Sequence, residues 1–107
     1  MALQRAISQV LLDEVTTVQS SEWVDISNMT DATFYISATS IISGGTVKIL
    51  AESPDGVEYP ADTQVITTDD FQTIVTLAGA FGRVRAQITS RTDGTYTVSL
   101  MAKPQTA

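Results

Sequence analysis

The chain has 107 residues, with twelve acidic and six basic side chains, no cysteine and no histidine, and a net charge of −6 at pH 7. The length predicts a single domain, and the lack of cysteine excludes a disulfide framework or a thiolate metal site. The lack of histidine removes the commonest general base and transition-metal ligand. We expect no nucleic acid or membrane partner, because binding to phosphate needs clustered lysine and arginine.

Residues 1–10 have two interpretations. Leu3, Ile7 and Val10 lie at the spacing of one face of a short helix, but they fit an extended apolar arm equally well because no capping residue opens the segment. Polar residues interrupt the apolar ones, so we predict neither a signal peptide nor a transmembrane helix. We divide the chain into an N-terminal arm or helix (1–10), a β-domain (11–102) and a C-terminal tail (103–107).

Short segments of alternating apolar and polar residues fill the predicted β-domain, which is the pattern of half-buried strands. The predicted strands cover residues 10–18, 22–26, 32–40, 46–52, 57–67, 71–77, 83–89 and 95–101. The first is expected to kink around Asp13-Glu14, and Asp93-Gly94 is expected to close a hairpin between the last two. The inward positions are Phe34, Ile36, Ala38, Val47, Ile49, Ala51, Val84, Ala86, Ile88, Tyr96, Val98 and Leu100.

The central hairpin carries the clearest signals. Ser53-Pro54-Asp55-Gly56 supplies a turn between two alternating segments, and Pro60 places the return strand at a sheet edge or at a bulge. About eight short strands with turn signals every 8–12 residues predict an all-β fold with little helix. The expected architecture is a single antiparallel β-sandwich or jelly-roll-like domain.

Acidic loop residues invite a calcium interpretation, but no metal-ligand spacing occurs among them. Asp-Gly pairs at residues 55–56 and 93–94 are typical of turns, and Asp62, Asp69 and Asp70 are expected to be solvated loop acids. Nothing raises the pKa of a carboxylate pair. We therefore predict no metal, no cofactor and no enzymatic activity.

Three aromatic residues, Trp23, Tyr35 and Tyr59, are candidates for a platform that packs on the apolar faces of sugar rings. The structural alternative for Trp23 is that it closes one end of the core, as large aromatic side chains usually do.

A protein interface is the second candidate site. Arg83 and Arg85 share an outward face, where they could form an anion site. We favour two other roles for them: ion pairs with acids such as Glu52 or Glu58, or contact with a partner. Leu50, Ile74 and Met101 are out of phase with the inward sets of their strands, and several such apolar residues together suggest a subunit contact. The predicted interface residues are Leu3, Ile7, Val10, Leu50, Ile74, Arg83 and Arg85.

Read as a whole, the chain resembles the small β-sandwich structural proteins of tailed bacteriophages and prophages. The resemblance rests on the segments 11–16, 22–26, 46–59, 82–89 and 93–98. It implies a virion component, made in the host cytoplasm, that is most simply a capsid decoration or cement protein and otherwise a neck or tail subunit. It implies the major capsid protein or other virion proteins as partners, and a closed homo-oligomer, with a trimer expected first.

A second resemblance leads to the alternative function. The Ser-x-Asp-Gly-x-x-aromatic element at 53–59, together with Arg83-Val84-Arg85, looks like part of discoidin-type carbohydrate-binding sandwiches. The chain is short for that family and lacks its usual bounding cysteines. The alternative is therefore a carbohydrate-binding or host-adhesion module.

Overall fold

A computed structural model describes residues 6–79 and 81–104. It contains eight β-strands: β1 (Ile7–Val15), β2 (Val24–Asp25), β3 (Met29–Thr39), β4 (Gly45–Glu52), β5 (Glu58–Ile66), β6 (Phe71–Ala78), β7 (Arg83–Arg91) and β8 (Thr95–Pro104). The described part of the chain has no helix, so it has none that could cross a membrane. The predicted all-β class is confirmed.

The strands form two antiparallel sheets of four. Sheet 1 has the order β1-β8-β3-β6, and sheet 2 has the order β2-β7-β4-β5. Along the described chain, β4 and β5 are the only consecutive strands that pair with each other, and every other connection passes from one sheet to the other. Strands that alternate in this way between two four-stranded sheets make a jelly roll, so the predicted sandwich is of that kind.

The core lies between the sheets. The predicted inward positions on β3, β4, β7 and β8 are at most 2% exposed, and they belong to one contiguous apolar cluster. Alternation was a sound guide here because side chains on successive strand residues point to opposite faces of the sheet.

Asp93-Gly94 does not close a hairpin, and that prediction is wrong. β7 pairs with β2 and β4 in sheet 2, whereas β8 pairs with β1 and β3 in sheet 1. Gly94 does take the left-handed backbone conformation that the dipeptide suggested, with φ of 106°. A local turn preference, however, does not decide whether the strands on either side bond to each other.

Two irregularities in the strands follow the sequence more closely. β5, which contains Pro60, is one of the two edge strands of sheet 2, and its register against β4 shifts between Ile49 and Leu50, as expected of a bulge. β1 shifts register against β8 on both sides of Leu12, and Glu14 has a positive φ of 48°. The predicted kink at Asp13-Glu14 is confirmed.

The ends of the domain differ from the predicted boundaries. β1 begins at Ile7, and residues 7–10 pair with residues 99–102 of β8, so this part of the predicted arm is extended and not helical. β8 continues to Pro104, past the predicted boundary at 102. Leu3 lies outside the described residues, and a separate role for residues 1–10 stays a prediction.

Candidate interaction surface

The outward side chains of sheet 1 line up in rows that cross the sheet, because residues paired across antiparallel strands share a face. The Tyr35 row runs across all four strands and consists of Val10, Ser99, Tyr35 and Ile74. On one side of it, the Thr33 row consists of Ser8, Met101, Thr33 and Thr76. On the other side, the Ser37 row consists of Thr97, Ser37 and Gln72.

Four exposed large apolar side chains lie in two adjacent rows. Val10 is 54% exposed, Tyr35 43% and Ile74 64% in the Tyr35 row, and Met101 is 41% exposed in the Thr33 row. Single exposed apolar residues are normal on a protein surface, but neighbouring ones form a patch that marks an interaction site.

No side chain in the three rows carries a charge, although the chain has twelve acids and six bases. The polar groups in the rows are hydroxyls and one amide, and the Thr33 and Thr76 hydroxyls lie 3.3 Å apart, within hydrogen-bond distance of each other. Desolvating a charge is much more costly than desolvating a hydroxyl. The three rows can therefore be covered by another surface without burying a charge, and the nearest charged residues, Glu14 beside Thr97 and Asp31 and Lys103 beyond the Thr33 row, lie around them.

An open groove of about 570 Å³ runs along the same face. It lies between the Tyr35 row and the Ser37 row. The residues lining it on this face are Tyr35, Ser37, Gln72, Ile74, Thr97 and Ser99.

The outer face of sheet 2 has a different chemistry, centred on Trp23. The guanidinium carbons of Arg83 and Arg85 lie 5.0 and 4.5 Å from the centre of the Trp23 ring, in range for cation–π attraction. Arg83 also pairs with Glu52 at 2.7 Å, and Arg85 with Glu58 at 3.6 Å. The predicted ion pairs are confirmed, and the Glu52 bond raises the pKa of Arg83 further above its ordinary value.

Trp23 does not close the core, so that expectation is wrong. It precedes the buried Val24 at the start of β2, it is half-buried, and it is not a member of the core cluster. Because neighbouring residues of an extended chain alternate between faces, the inward Val24 leaves Trp23 on the outside, where the two arginines cover its ring.

Leu50 is also on the outer face of sheet 2, out of phase with Ile49 and Ala51 as predicted. It is nevertheless only 7% exposed, and it is buried without belonging to the core cluster. Its cross-strand neighbours are Arg85 on β7 and Pro60 on β5. The single chain therefore already covers Leu50 and does not present it to a partner.

The predicted interface residues thus separate into two groups. Val10 and Ile74 meet in the Tyr35 row of sheet 1, whereas Leu50, Arg83 and Arg85 lie together on sheet 2. Ile7 pairs with the buried Ala102 and is half-buried, so it faces inward.

The three aromatic residues proposed as a sugar platform do not share a surface. Tyr35 is on the outer face of sheet 1 and Trp23 on that of sheet 2. Tyr59 is 54% exposed and pairs with Ala51, which points into the core, so Tyr59 lies on the inner side of an edge strand. A platform built from all three is excluded.

Asp93 has a structural role that the sequence analysis missed. Its carboxylate accepts hydrogen bonds from the backbone N–H groups of Ile42, Ser43 and Gly44, each at 2.9 Å, and these bonds lower its pKa. A Cβ on Gly44, whose φ is 97°, would collide with the backbone carbonyl oxygen of Ile66, so the loop needs glycine here. No short sequence motif predicts these hydrogen bonds, because Asp93 and the loop are about fifty residues apart in the chain.

Asp69 also accepts a hydrogen bond from the loop between β3 and β4. Its carboxylate accepts the backbone N–H of Ile41 at 3.1 Å, and this bond lowers the pKa of Asp69. Within residues 6–79 and 81–104, no three acidic side chains gather in a group that could hold a metal ion. These carboxylates act on the backbone of the loop that joins β3 to β4.

The fold has known relatives among solved structures, although no protein-family model and no curated protein matches the chain by sequence. The SPBc2 prophage-derived protein YomS matches with a TM-score of 0.57 and 10% identity, over 96% of this chain and 99% of that one. The VP2 protein of the infectious bursal disease virus subviral particle matches with a TM-score of 0.59 and 10% identity, over 94% of this chain and 32% of VP2. The carbohydrate-binding module CBM29-2 matches with a TM-score of 0.50 and 13% identity, over 92% and 91% of the two chains. Similarity at these identities establishes a shared fold and leaves function to the surface.

Proposed function

We propose that this chain is a non-enzymatic structural subunit of a bacteriophage particle and that it contacts its neighbours through the outer face of sheet 1. The observation that carries the proposal is the group of three uncharged rows with their exposed apolar side chains. The centres of protein interfaces are depleted in charged residues and enriched in aromatic residues and methionine, and Tyr35 and Met101 provide both types here.

The fold comparisons support the setting of this proposal. YomS is a prophage-derived protein, and its match extends over nearly the whole of both chains. VP2 forms a viral particle, and a third of it has this fold. Since a jelly roll hosts many functions, the comparisons favour a particle component without deciding its position in the particle.

The more specific form of the proposal is a capsid decoration or cement protein that binds between subunits of the major capsid protein. Such a protein stabilises the shell by mass action, because it binds the assembled lattice and not the separate subunits. A neck or tail subunit would use the same surface in fewer copies. We propose a homo-oligomer in either case, and the trimer expected from the resemblance stays a prediction.

The test is the copy number of this chain in purified particles from the source culture, measured by quantitative mass spectrometry against the major shell protein. A copy number near that of the shell protein is expected for decoration, and a few copies per particle for a neck or tail position. Complete absence from particles would overturn the proposal.

A matched pair of variants connects the result to the surface. Ile74→Asp places a charge on the outer face of sheet 1 and should lower the copy number in particles. Val65→Asp changes an equally exposed aliphatic residue, 68% against 64%, on the edge strand of sheet 2 and should leave it unchanged. Equal incorporation of both variants would show that this face makes no particle contact.

A second candidate function, sugar binding, is favoured by the groove on sheet 1. Tyr35 lies there beside hydroxyl and amide side chains. The groove therefore combines an aromatic face with hydrogen-bonding groups, as a sugar site requires. Tyr35→Ala should then abolish binding to a glycan array while the circular dichroism spectrum stays native. An array that binds no wild-type protein, even when the protein is multimerised, would remove this candidate.

A further inference from the structure

We infer that a second copy of this chain covers the outer face of sheet 1, in a two-fold pair in which the two faces pack against each other. The inference rests on the proposed use of this face as a protein interface, and it names the partner. Three properties of the face support a second copy: its charge, the arrangement of its rows and its area.

The absence of charge favours another copy over a basic partner. A chain with a net charge of −6 repels its own copies wherever carboxylates come within about 8 Å, the screening distance at physiological salt. None of the twelve acidic side chains is in the three rows, so the centres of two faces can meet without opposing like charges. Glu14, beside Thr97, and Asp31 lie at the rim. A basic protein would be attracted to the acidic parts of the surface and would gain nothing at this face.

The arrangement of the rows makes the face complementary to itself. A two-fold axis can run parallel to the rows, midway between the Tyr35 row and the Ser37 row. It places the Tyr35 row of each copy over the Ser37 row of the other. Tyr35 then lies over Ser37 of the second copy, and Ser99 over Thr97. Tyr35 of each copy enters the groove beside Ser37 of the other, while Ser99 over Thr97 and Ile74 over Gln72 bring together side chains of similar size.

The area of the face is sufficient for a stable pair. β3 has eleven residues, which span about 36 Å at about 3.3 Å per residue. Four strands about 4.8 Å apart are about 19 Å wide, so the whole outer face, with its charged rim, measures about 700 Å² and the three uncharged rows at its centre about 300 Å². A standard protein interface buries about 800 Å² on each partner.

Sedimentation of two complementary variants tests the pairing. The wild type is expected to sediment as a dimer at micromolar concentrations. Tyr35→Lys and Ser37→Asp should each raise the dimer dissociation constant about tenfold or more, because each places a charge inside the contact. An equimolar mixture of the two should recover dimers, since the two-fold axis sets the new ammonium of one chain opposite the new carboxylate of the other.

The controls separate this pairing from other contacts. Val65→Asp, on sheet 2, should leave the dimer intact, and circular dichroism should show that every variant is folded. Pairing through the open edge of β6 would be indifferent to Tyr35→Lys, because Tyr35 lies on the inner strand β3. A wild type that sediments as a monomer or a trimer, or a mixture that recovers no dimer, would overturn the inference.

The outcome is also distinguishable from that of the proposed function. A monomeric wild type that is present in particles at the shell copy number would overturn the pair and leave the particle role standing. A dimer that is absent from particles would overturn the particle role and leave the pair standing.

Discussion

The outer faces of the two sheets differ in how far each covers an apolar residue that points away from the core. Each has a large apolar residue out of phase with the inward set of its strand, Leu50 on β4 and Ile74 on β6. On sheet 2 the side chains around Leu50 reduce its exposure to 7%, and Trp23 is stacked against two arginines that pair with glutamates. On sheet 1 Ile74 lies on the edge strand β6, where Tyr35 is its one cross-strand neighbour, and it stays 64% exposed. An out-of-phase apolar residue therefore marks an interface only where its own chain leaves it uncovered.

The largest expected difference between the faces is in stability. Leu50→Ala should lower the free energy of unfolding by about 2–3 kcal/mol, because it removes buried apolar contact and leaves a cavity. Ile74→Ala, on the exposed face, should change it by about 0.5 kcal/mol or less. Urea unfolding, measured at concentrations where the chain is monomeric, compares the two directly. Equal losses for the two variants would show that the faces are not different in the way described.

The aromatic residues give the next largest difference. Trp23→Ala removes two cation–π contacts and should cost about 1–2 kcal/mol, since each such contact contributes about 0.5–1 kcal/mol at a partly exposed site. Tyr35→Ala removes a side chain that is 43% exposed in the single chain, and it should cost less. Unfolding followed by circular dichroism suits both variants, because Trp23 is the chain's one tryptophan and its fluorescence is lost on substitution. A larger loss for Tyr35→Ala would contradict the comparison.

The smallest effect is expected from the loop between β3 and β4, which belongs to neither face. Backbone N–H groups of Ile42, Ser43 and Gly44 lower the pKa of Asp93 below its ordinary value of 3.8. The stability that this carboxylate contributes is therefore fully present above that value and is lost as the pH falls through the lower pKa of the folded state. Asp93→Asn keeps one acceptor oxygen and removes the titration.

Unfolding measurements at a series of pH values test this prediction. The wild type should lose stability on acidification more steeply than Asp93→Asn does, with the difference concentrated below about pH 5. Asp93 lies outside the three rows of sheet 1. Tyr35→Lys should therefore raise the dimer dissociation constant equally in the wild type and in Asp93→Asn, as measured by sedimentation. Parallel pH profiles for the two proteins would show that the carboxylate of Asp93 does not hold the loop.

Much of the fold could be predicted from local patterns. The alternation around Phe34, Val47 and Val84 identified the strands and their inward faces, because burial on one face of a strand imposes a period of two on the sequence. Pro60 marked the edge strand, because proline cannot donate a hydrogen bond to a sheet ladder. The pairing of Arg83 with Glu52 was also predictable, since opposite charges on outward faces favour cross-strand pairs.

The candidate surface could not be predicted in the same way. Ile74 was recognised as an outward apolar residue and Val10 as part of an apolar arm or helix, but the two share a row only because β8 and β3 lie between their strands. The same strand order determined that Asp93-Gly94 joins two sheets and that Trp23 and Tyr35 are on opposite sides of the sandwich.

The sequence by itself determined the elements of this protein: which residues form strands, which side of each strand is buried, and where the chain turns. Those properties depend on neighbouring residues, and alternation and turn chemistry record them locally. Only the tertiary structure decided which strands lie side by side, and with that which outward residues meet. Strand order depends on contacts between residues far apart in the chain, and it covered Leu50 on one face of the sandwich and left Tyr35 and Ile74 exposed on the other.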